Sequence, residues 1–501
     1  MALKFFNTLS RSVQEFAPLT PGKVGMYCCG PTVYDFAHIG NWRTFVFGDL
    51  VRRYLEFKGY DVRHVMNITD VEDKIIKRVR ETKTSLRDFT GKFEAAFFED
   101  LKTLNCRMPH ETPHATEHVA DIVSLIEKLL ANGIAYKAAD GSIYFSIEKY
   151  RASGRTYGQL LKLNFEEMRA GERVKSDEYA KESVADFALW KARVPEDGEV
   201  FWKSESLGEG RPGWHIECSA MSMKLLGPSF DLHLGGEDLI FPHHEDEIAQ
   251  SEGATGKPFV KYWLHGAFLL VEGKKMSKSL GNFFTLRDLL AKGFTGREIR
   301  YALLQAHYRE TFNFTLDGLT GARTALARID ECVGKLRELA GDRFEPADWD
   351  LEVRNLIDPF REALDEDLNI SRAWAVVFGW VRDMNGWYQH EQFSDWRASD
   401  PATIKALGKE EAARVHPPEH RAANARRAAA ALAAWDKVNC VLGIGTKAEA
   451  ETPAEIVALL EARQAARKAK DFRRSDAIRD ELKAKGWAIE DTPKGPKLKR
   501  I

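Results

Sequence analysis

The sequence predicts an α/β protein in which a parallel sheet covered by helices is interrupted by an insertion, then followed by an all-α region and a small basic tail. Three observations carry this. Over the first three hundred residues short apolar runs alternate with amphipathic stretches, the pattern of βα units. Beyond about residue 295 the strand signals stop and long helical periodicities take over. The stretch from Arg463 to Ile501 holds 13 Lys+Arg against 6 Asp+Glu, a charge of +7 in a chain whose formal net charge is -2, which leaves -9 on the rest. A length of 501 residues suits roughly three domains of about 150 residues each.

The first residues, Met1 to Phe16, read as folded sequence rather than a leader, and no uncharged run is long enough to span a bilayer. Val24 to Cys29 reads as a strand, Thr44 to Phe57 as a helix ending at Lys58-Gly59, and Val62 to Ile68 as a second strand, together one βαβ unit. From about Glu117 to Leu207 the pattern is mixed, with a helix from His118 to Leu130, a hairpin around Ala139-Asp140-Gly141 and a loop rich in Gly, Glu and Lys. The βα pattern resumes at Phe230 to His233, with a helix from Pro242 and the apolar segment Phe268 to Val271. Helical periodicity then marks Ile299 to Leu304, Leu316 to Leu336, Val353 to Leu364 and Arg372 to Val381, which fits a bundle. Gly386 to Ala434 reads as irregular, an insertion or a long helical hairpin, with Pro401, Pro417-Pro418 and the alanines Ala428 to Ala431. Lys447 to Pro453 reads as a linker.

Hydrophobic residues at 44% and charged residues at 30% exclude disordered and collagen-like classes. With 73 Lys+Arg against 75 Asp+Glu there is no global field toward a polyanion, so such a partner must be met locally. Six cysteines (Cys28, Cys29, Cys106, Cys218, Cys332, Cys440) in so long a chain do not make a secreted disulfide framework; the reading is cytoplasmic, with thiols open to metal or catalytic use.

Three constellations offer chemistry. Cys29, just past a strand, joins Cys218 and the run Phe241-Pro242-His243-His244-Glu245-Asp246-Glu247; on a helix His243 and Glu247 are four apart and share a face. Two thiolates, an imidazole and a carboxylate suit tetrahedral zinc. Spacing leaves open His244 with Glu247, Cys28 in place of Cys29, and a solvated acidic helix beside two free thiols. The second is His38-Ile39-Gly40-Asn41, between strand and helix of the βαβ unit, where helix-start N–H groups and a glycine suit a nucleotide phosphate, or merely an exposed histidine in a turn. The third, Gly273-Lys274-Lys275-Met276-Ser277-Lys278-Ser279-Leu280-Gly281-Asn282, is a basic loop able to hold a triphosphate as pyrophosphate leaves, or a solvated charged turn.

The pairing of His38-Ile39-Gly40 with Lys275-Met276-Ser277-Lys278-Ser279 resembles the signature pair of class I aminoacyl-tRNA synthetases. The strings Met26 to Asp35, Asn67 to Asp70, Gly210 to Ser219 and Phe241 to Glu245 are similar to those of the cysteinyl-tRNA synthetase family, over nearly the whole chain. The resemblance implies a Rossmann catalytic domain in two halves, 1–116 and 208–294, split by a connective insertion at 117–207; a helical bundle at 295–446 that contacts the tRNA stem, with an insertion near 386–434; and an anticodon-binding domain at 453–501. It implies zinc, one per subunit, on Cys29, Cys218, His243 and Glu247; a cysteine pocket of Cys29, Thr69, Trp214 and His233; and ATP, with Mg²⁺, on His38, Ile39, Gly40, Asn41, Gly236, Asp238, Lys275, Met276, Ser277, Lys278 and Ser279. His38, Lys275 and Lys278 take the catalytic roles, and Arg467, Asp476 and Asp491 match anticodon readers. The implied activity joins L-cysteine to AMP and passes it to the terminal adenosine of tRNA(Cys), in a monomeric cytoplasmic enzyme. Asn41 departs from the signature's final histidine, and Cys28 adds a thiol beside the metal set. A cysteine ligase acting on a small amino sugar resembles the same core without the basic tail. A silent paralogue that only binds tRNA predicts damage to His38, Lys278 or the zinc set, and all are present.

Overall fold

A computed structural model describes residues 2–161, 186–277, 280–341, 349–398, 418–445, 454–468, 471–485, 487–492 and 495–500. The chain forms two compact units, Met1–Gly445 and Thr446–Ile501. In the first, a hairpin of β1 (Lys4–Asn7) and β2 (Ser12–Glu15) precedes β3 (Lys23–Cys28), α1 (Ile39–Phe57) and β4 (Asp61–Met66), the βαβ unit. Helices α2 (Asp73–Thr82) and α3 (Leu86–Thr103) follow, then α4 (Val119–Ala131), β5 (Ala135–Lys137), β6 (Ile143–Phe145), α5 (Ile147–Ala152), β7 (Phe187–Ala192), β8 (Trp202–Ser204) and β9 (Gly208–Pro212). The five strands β5 to β9 make one antiparallel sheet, ordered β5-β6-β7-β9-β8, that runs on through Pro212.

After α6 (Trp214–Leu226) the chain returns to the first sheet as β10 (Phe230–Gly236), α7 (Glu245–Thr255) and β11 (Val260–Gly266). The sheet is parallel and ordered β11-β10-β3-β4. The chain therefore enters at β3, runs outward to β4, and comes back on the other side, which leaves a crevice at the carboxyl ends of β3 and β10 where the order reverses. Strand β11 is absent from the sequence reading. Its Val-Lys-Tyr-Trp-Leu-His-Gly alternation is obscured because this edge is covered: Trp263 N–H donates to Asn7 Oδ1 at 3.0 Å, and Asn7 Nδ2 donates to Lys261 O at 2.9 Å.

The strands β12 (Leu269–Val271) and β13 (Lys274–Lys275) lead to α8 (Leu286–Ala291), α9 (Gly296–Leu303) and β14 (Phe312–Phe314). The bundle comprises α10 (Leu316–Ala340), α11 (Trp349–Glu352), α12 (Asp358–Asp365), α13 (Ile370–Ala398) and α14 (Pro418–Leu442). The stretch read as irregular is thus helical on both sides of residues 399–417, which lie outside the described residues. Ala428 to Ala431 are fully buried. Alanines have no bulky side chain to mark a stripe, so periodicity misses them, yet they let backbones approach closely. One core joins α1 to the bundle; within it Trp435 stacks on Trp380 at 6.0 Å, and its truncation is expected to cost about 3–5 kcal/mol.

The second unit holds α15 (Ala454–Lys468), α16 (Phe472–Ala484) and the hairpin β15 (Trp487–Thr492) and β16 (Gly495–Arg500), around Ile456, Ile478 and Leu482. No described helix is long and apolar enough to cross a membrane.

Candidate active site and metal centre

Cys29 follows the last residue of β3, Cys218 lies in α6, and His243 and Glu247 flank the start of α7, so three separate elements converge on the crevice. Ligand atoms of Cys29, Cys218, His243 and Glu247 all lie within 4.8 Å of one another, and all four residues are buried. The helical spacing works as expected: His243 Nε2 is 3.2 Å from Glu247 Oε1. A solvated acidic helix is excluded, because Glu245, Asp246 and Glu247 are each at most 1% exposed.

A second grouping, Cys29, His233, His244 and Glu247, overlaps the first. The two differ in what their histidines already do. His244 Nδ1 is 2.7 Å from His265 Nε2, whose ring is held in turn by Thr8 Oγ1 at 2.8 Å, while His244 Nε2 sits 3.3 Å from Cys29 Sγ. His233 Nε2 meets Glu247 Oε2 at 2.9 Å and its ring stacks on Trp263. These imidazoles brace Cys29 and Glu247 from behind, as outer groups do around metal ligands. On the other side His243 Nδ1 meets His215 Nδ1 at 2.8 Å, and His215 reaches Asp246, which accepts from the Tyr157 hydroxyl. Glu245 turns away, its carboxylate taking the N–H groups of Gly158, Gln159 and Leu160 at 2.6–2.9 Å.

Burial sets the electrostatics. It pushes the Glu247 carboxyl up to about 8, against the pull of His243 and Cys29, and holds the Cys29 thiol above its usual range with Cys218 and Glu247 adding to the rise. It lowers His233, His243 and His265 to about 3, so these rings are neutral at physiological pH, the form in which an imidazole nitrogen can bind a cation. Two sulfurs, a neutral imidazole and a carboxylate fit zinc, whose charge would favour the ionised forms of its ligands.

The predicted cysteine-pocket residues border this set. Thr69 is buried, its Oγ1 accepting from Asn67 Nδ2 at 3.1 Å. Trp214, the first residue of α6, is 37% exposed and lies over His243 with ring centroids 4.4 Å apart. Gly30, beside Cys29, must be glycine because a Cβ would collide with Asn67 O.

The two motifs that the sequence expects to face phosphate meet at the neighbouring corner. His38 is the N-cap of α1: its Nδ1 accepts the Asn41 N–H at 3.2 Å, and Asn41 Oδ1 accepts the His38 N–H at 3.1 Å. Asn41 therefore closes a reciprocal cap at the helix end that favours anions. Ile39 N–H donates to Phe284 O at 2.9 Å and His38 bridges Thr285, lacing the segment after the lysine loop to this turn. A Cβ on Gly40 would come 2.7 Å from Met276 Cε, so the loop's methionine packs on the glycine itself. Lys275 is exposed on β13. Buried Asn282 ties the loop together, accepting the Ser277 N–H at 2.9 Å and donating to Val271 O and Lys275 O at 3.2 Å. Lys278 and Ser279 lie outside the described residues. Gly236 ends β10 under the Asp238 carboxylate, with Thr44 of α1 nearby.

In the second unit Arg467 and Asp476 are exposed, Asp476 3.5 Å from Arg479; Asp491 pairs with Pro496 in the hairpin. Phe472, which the sequence reading leaves unassigned, is 62% exposed beside Arg473 and Arg474. His215, His265 and Asn282 were also passed over, although His215 and Asn282 stand inside the motif strings that signal the site.

The chain's relatives agree. Residues 15–324 match the model of the class I (C) tRNA synthetase catalytic domain, and 449–496 that of the cysteinyl-tRNA ligase anticodon binding domain. A cysteine–tRNA ligase of Chlamydia muridarum is 45% identical over 507 residues, and one of Solibacter usitatus 46% identical over 500, each aligned over 100% of both chains. Among solved structures, a methionyl-tRNA synthetase of Mycobacterium tuberculosis bound by methionyl-adenylate shares the fold at a TM-score of 0.58 and 14% identity, covering 87% of this chain and 94% of that one. On these matches the chain belongs to the cysteine–tRNA ligase family, class I aminoacyl-tRNA synthetases that charge tRNA(Cys) with cysteine.

Proposed function

We propose that the chain holds one zinc ion on Cys29, Cys218, His243 and Glu247 and selects L-cysteine there by its thiol. The observation that supports this most directly is the convergence of those four buried donors within 4.8 Å. When bound, zinc supplies a soft Lewis acid that prefers a thiolate to a hydroxyl. A pocket choosing by size alone separates near-isosteres by only on the order of a hundredfold. His244 and His233 keep Cys29 and Glu247 aimed, and His215 fixes which nitrogen of His243 carries the proton.

In this reading Thr69, Trp214 and His233 border the amino acid, and ATP, entering with Mg²⁺, lies along Gly236 and Asp238 with its phosphates at the His38–Asn41 turn. The cysteine carboxylate attacks the α-phosphorus and pyrophosphate leaves, so negative charge grows on phosphate oxygens. His38, Lys275 and Lys278 offset that charge, with Met276, Ser277 and Ser279 shaping the loop. The acyl group then passes to a ribose hydroxyl of the terminal adenosine of tRNA(Cys). Both steps depend on positioning and electrostatics and need no side-chain nucleophile. Arg467, Asp476 and Asp491 serve the anticodon, where exposed Phe472 offers a ring on which an unpaired base can stack. The monomeric state and cytoplasmic location rest on the resemblance alone.

Cysteine-dependent ATP–pyrophosphate exchange, followed by charging of tRNA(Cys), tests this reading together with zinc analysis. One zinc per chain is expected, lost in Cys218→Ser along with exchange; full exchange in a zinc-free Cys218→Ser protein would refute the metal role.

A further inference from the structure

Helix α14 ends at Leu442, and the chain leaves the first unit three residues later, at Gly445. The last carbonyls of a helix have no partners within it. Here four carbonyls at this exit are taken by side chains from distant elements. Arg53 of α1 donates to Cys440 O at 2.9 Å, Arg300 of α9 to Leu442 O at 2.8 Å, Asn105 after α3 to Gly443 O at 2.6 Å, and Arg297 of α9 to Ile444 O at 2.8 Å. Three guanidinium groups thus face the negative end of one helix dipole.

The donors are themselves fixed. Arg300 is fully buried and pairs with Asp49 at 2.6 Å, which also binds Arg53 at 2.7 Å and the Arg107 N–H at 2.8 Å. Arg297 grips Asp330 with both nitrogens at 2.7 Å. Gly443 has φ +63, and a Cβ there would come 2.7 Å from the Arg300 guanidinium, so the chain is pressed against the clamp. Four donors on four carbonyls between Cys440 and Ile444, anchored to α1, α9 and α10, hold the chain in place where it leaves the first unit.

We propose that Arg53, Asn105, Arg297 and Arg300 act as positioning residues that fix this exit, so that full-length tRNA is charged efficiently while adenylate formation proceeds without them. The inference rests on the tRNA-charging reading above, and the test separates the two. Asn105→Gly plus Arg297→Gln removes two side-chain donors outside the crevice and leaves the Asn105 carbonyl that Arg53 of α1 binds; Gly443→Ala disturbs the same contact from the helix side without removing a charge. In the full-length enzyme each is expected to raise the KM for tRNA(Cys) about tenfold, as displaced remote contacts do, with cysteine-dependent exchange within about twofold of the parent. Charging of an acceptor-stem minihelix, which lacks the anticodon arm, is expected to be unchanged, and Arg297→Lys alone to retain most of the parental KM. Exchange and minihelix charging falling in step with tRNA charging would overturn the proposal in favour of a purely structural clamp. Unchanged tRNA kinetics in both variants would also overturn it. Absence of cysteine-dependent exchange in the parent enzyme would instead reject the tRNA-charging reading and this inference with it.

Discussion

At Cys29, Cys218, His243 and Glu247 every donor is buried and its neighbours are braced by further histidines, whereas at His38, Asn41 and Lys275, along the same carboxyl edge, the side chains remain accessible and the backbone does the holding. The difference matches the two tasks proposed for these residues. Discriminating a sulfur from an oxygen requires a dry, stiff set of donors whose spacing does not yield. Handling a triphosphate that enters, reacts and leaves requires charge near water on a loop that can shift. Three substitutions test this contrast, each striking one corner and sparing the other, and a fourth lies away from both.

The largest effect is expected at the dry corner. Glu247→Ala should remove zinc and lower kcat/KM for cysteine by on the order of a thousandfold or more, while ATP binding, followed by fluorescence of a nucleotide analogue, changes little. Retained zinc in that variant would count against the ligand set. Next, Gly40→Ala inserts a methyl group against Met276 and is expected to lower exchange about a hundredfold by misplacing the lysine loop, with zinc content and serine rejection intact. Loss of zinc there would show that the two corners are not separable. Third, His215→Asn removes the partner of His243 Nδ1 and should weaken zinc about tenfold to a hundredfold, read by chelator competition.

The smallest effect lies away from both corners. His64 in β4 is buried, and burial with Arg52 nearby lowers it to about 3. Between about pH 6.5 and 3 the unfolded chain binds a proton there that the folded chain does not, so stability falls as pH drops through that window. His64→Phe should make acid unfolding shallower over the same range, by at most a few kcal/mol, with exchange at neutral pH unaffected. An unchanged acid profile would show that His64 is not part of that sensitivity.

How much of this was legible in the sequence differs between the corners for a physical reason. The proposed metal donors are chemically rare, and His243 and Glu247 sit four apart across the start of α7, so composition and spacing pointed at them. Spacing left Cys28 and Cys29 open and the family resemblance chose Cys29; the fold adds the physical reason, since the two neighbours face opposite sides of the sheet, Cys28 packing in the core toward Gly48. The brace of His215, His265 and Thr8 was not readable, because those contacts span up to 257 residues of sequence and carry no local period. Strand β11 hid under the β1 edge, and the alanine face of α14 gave no hydrophobic stripe. Asn41 is the instructive case, since this departure from the signature's final histidine is the second half of a helix cap.

The most direct test of the central claim is exchange with cysteine and with serine, measured side by side on zinc-loaded and zinc-depleted enzyme. If the buried set selects by sulfur, cysteine should exceed serine by on the order of 10³-fold or more with zinc bound, and depletion should abolish cysteine activation without raising serine's. Serine exchange near the cysteine rate in the loaded enzyme, or cysteine exchange that survives depletion, would contradict it.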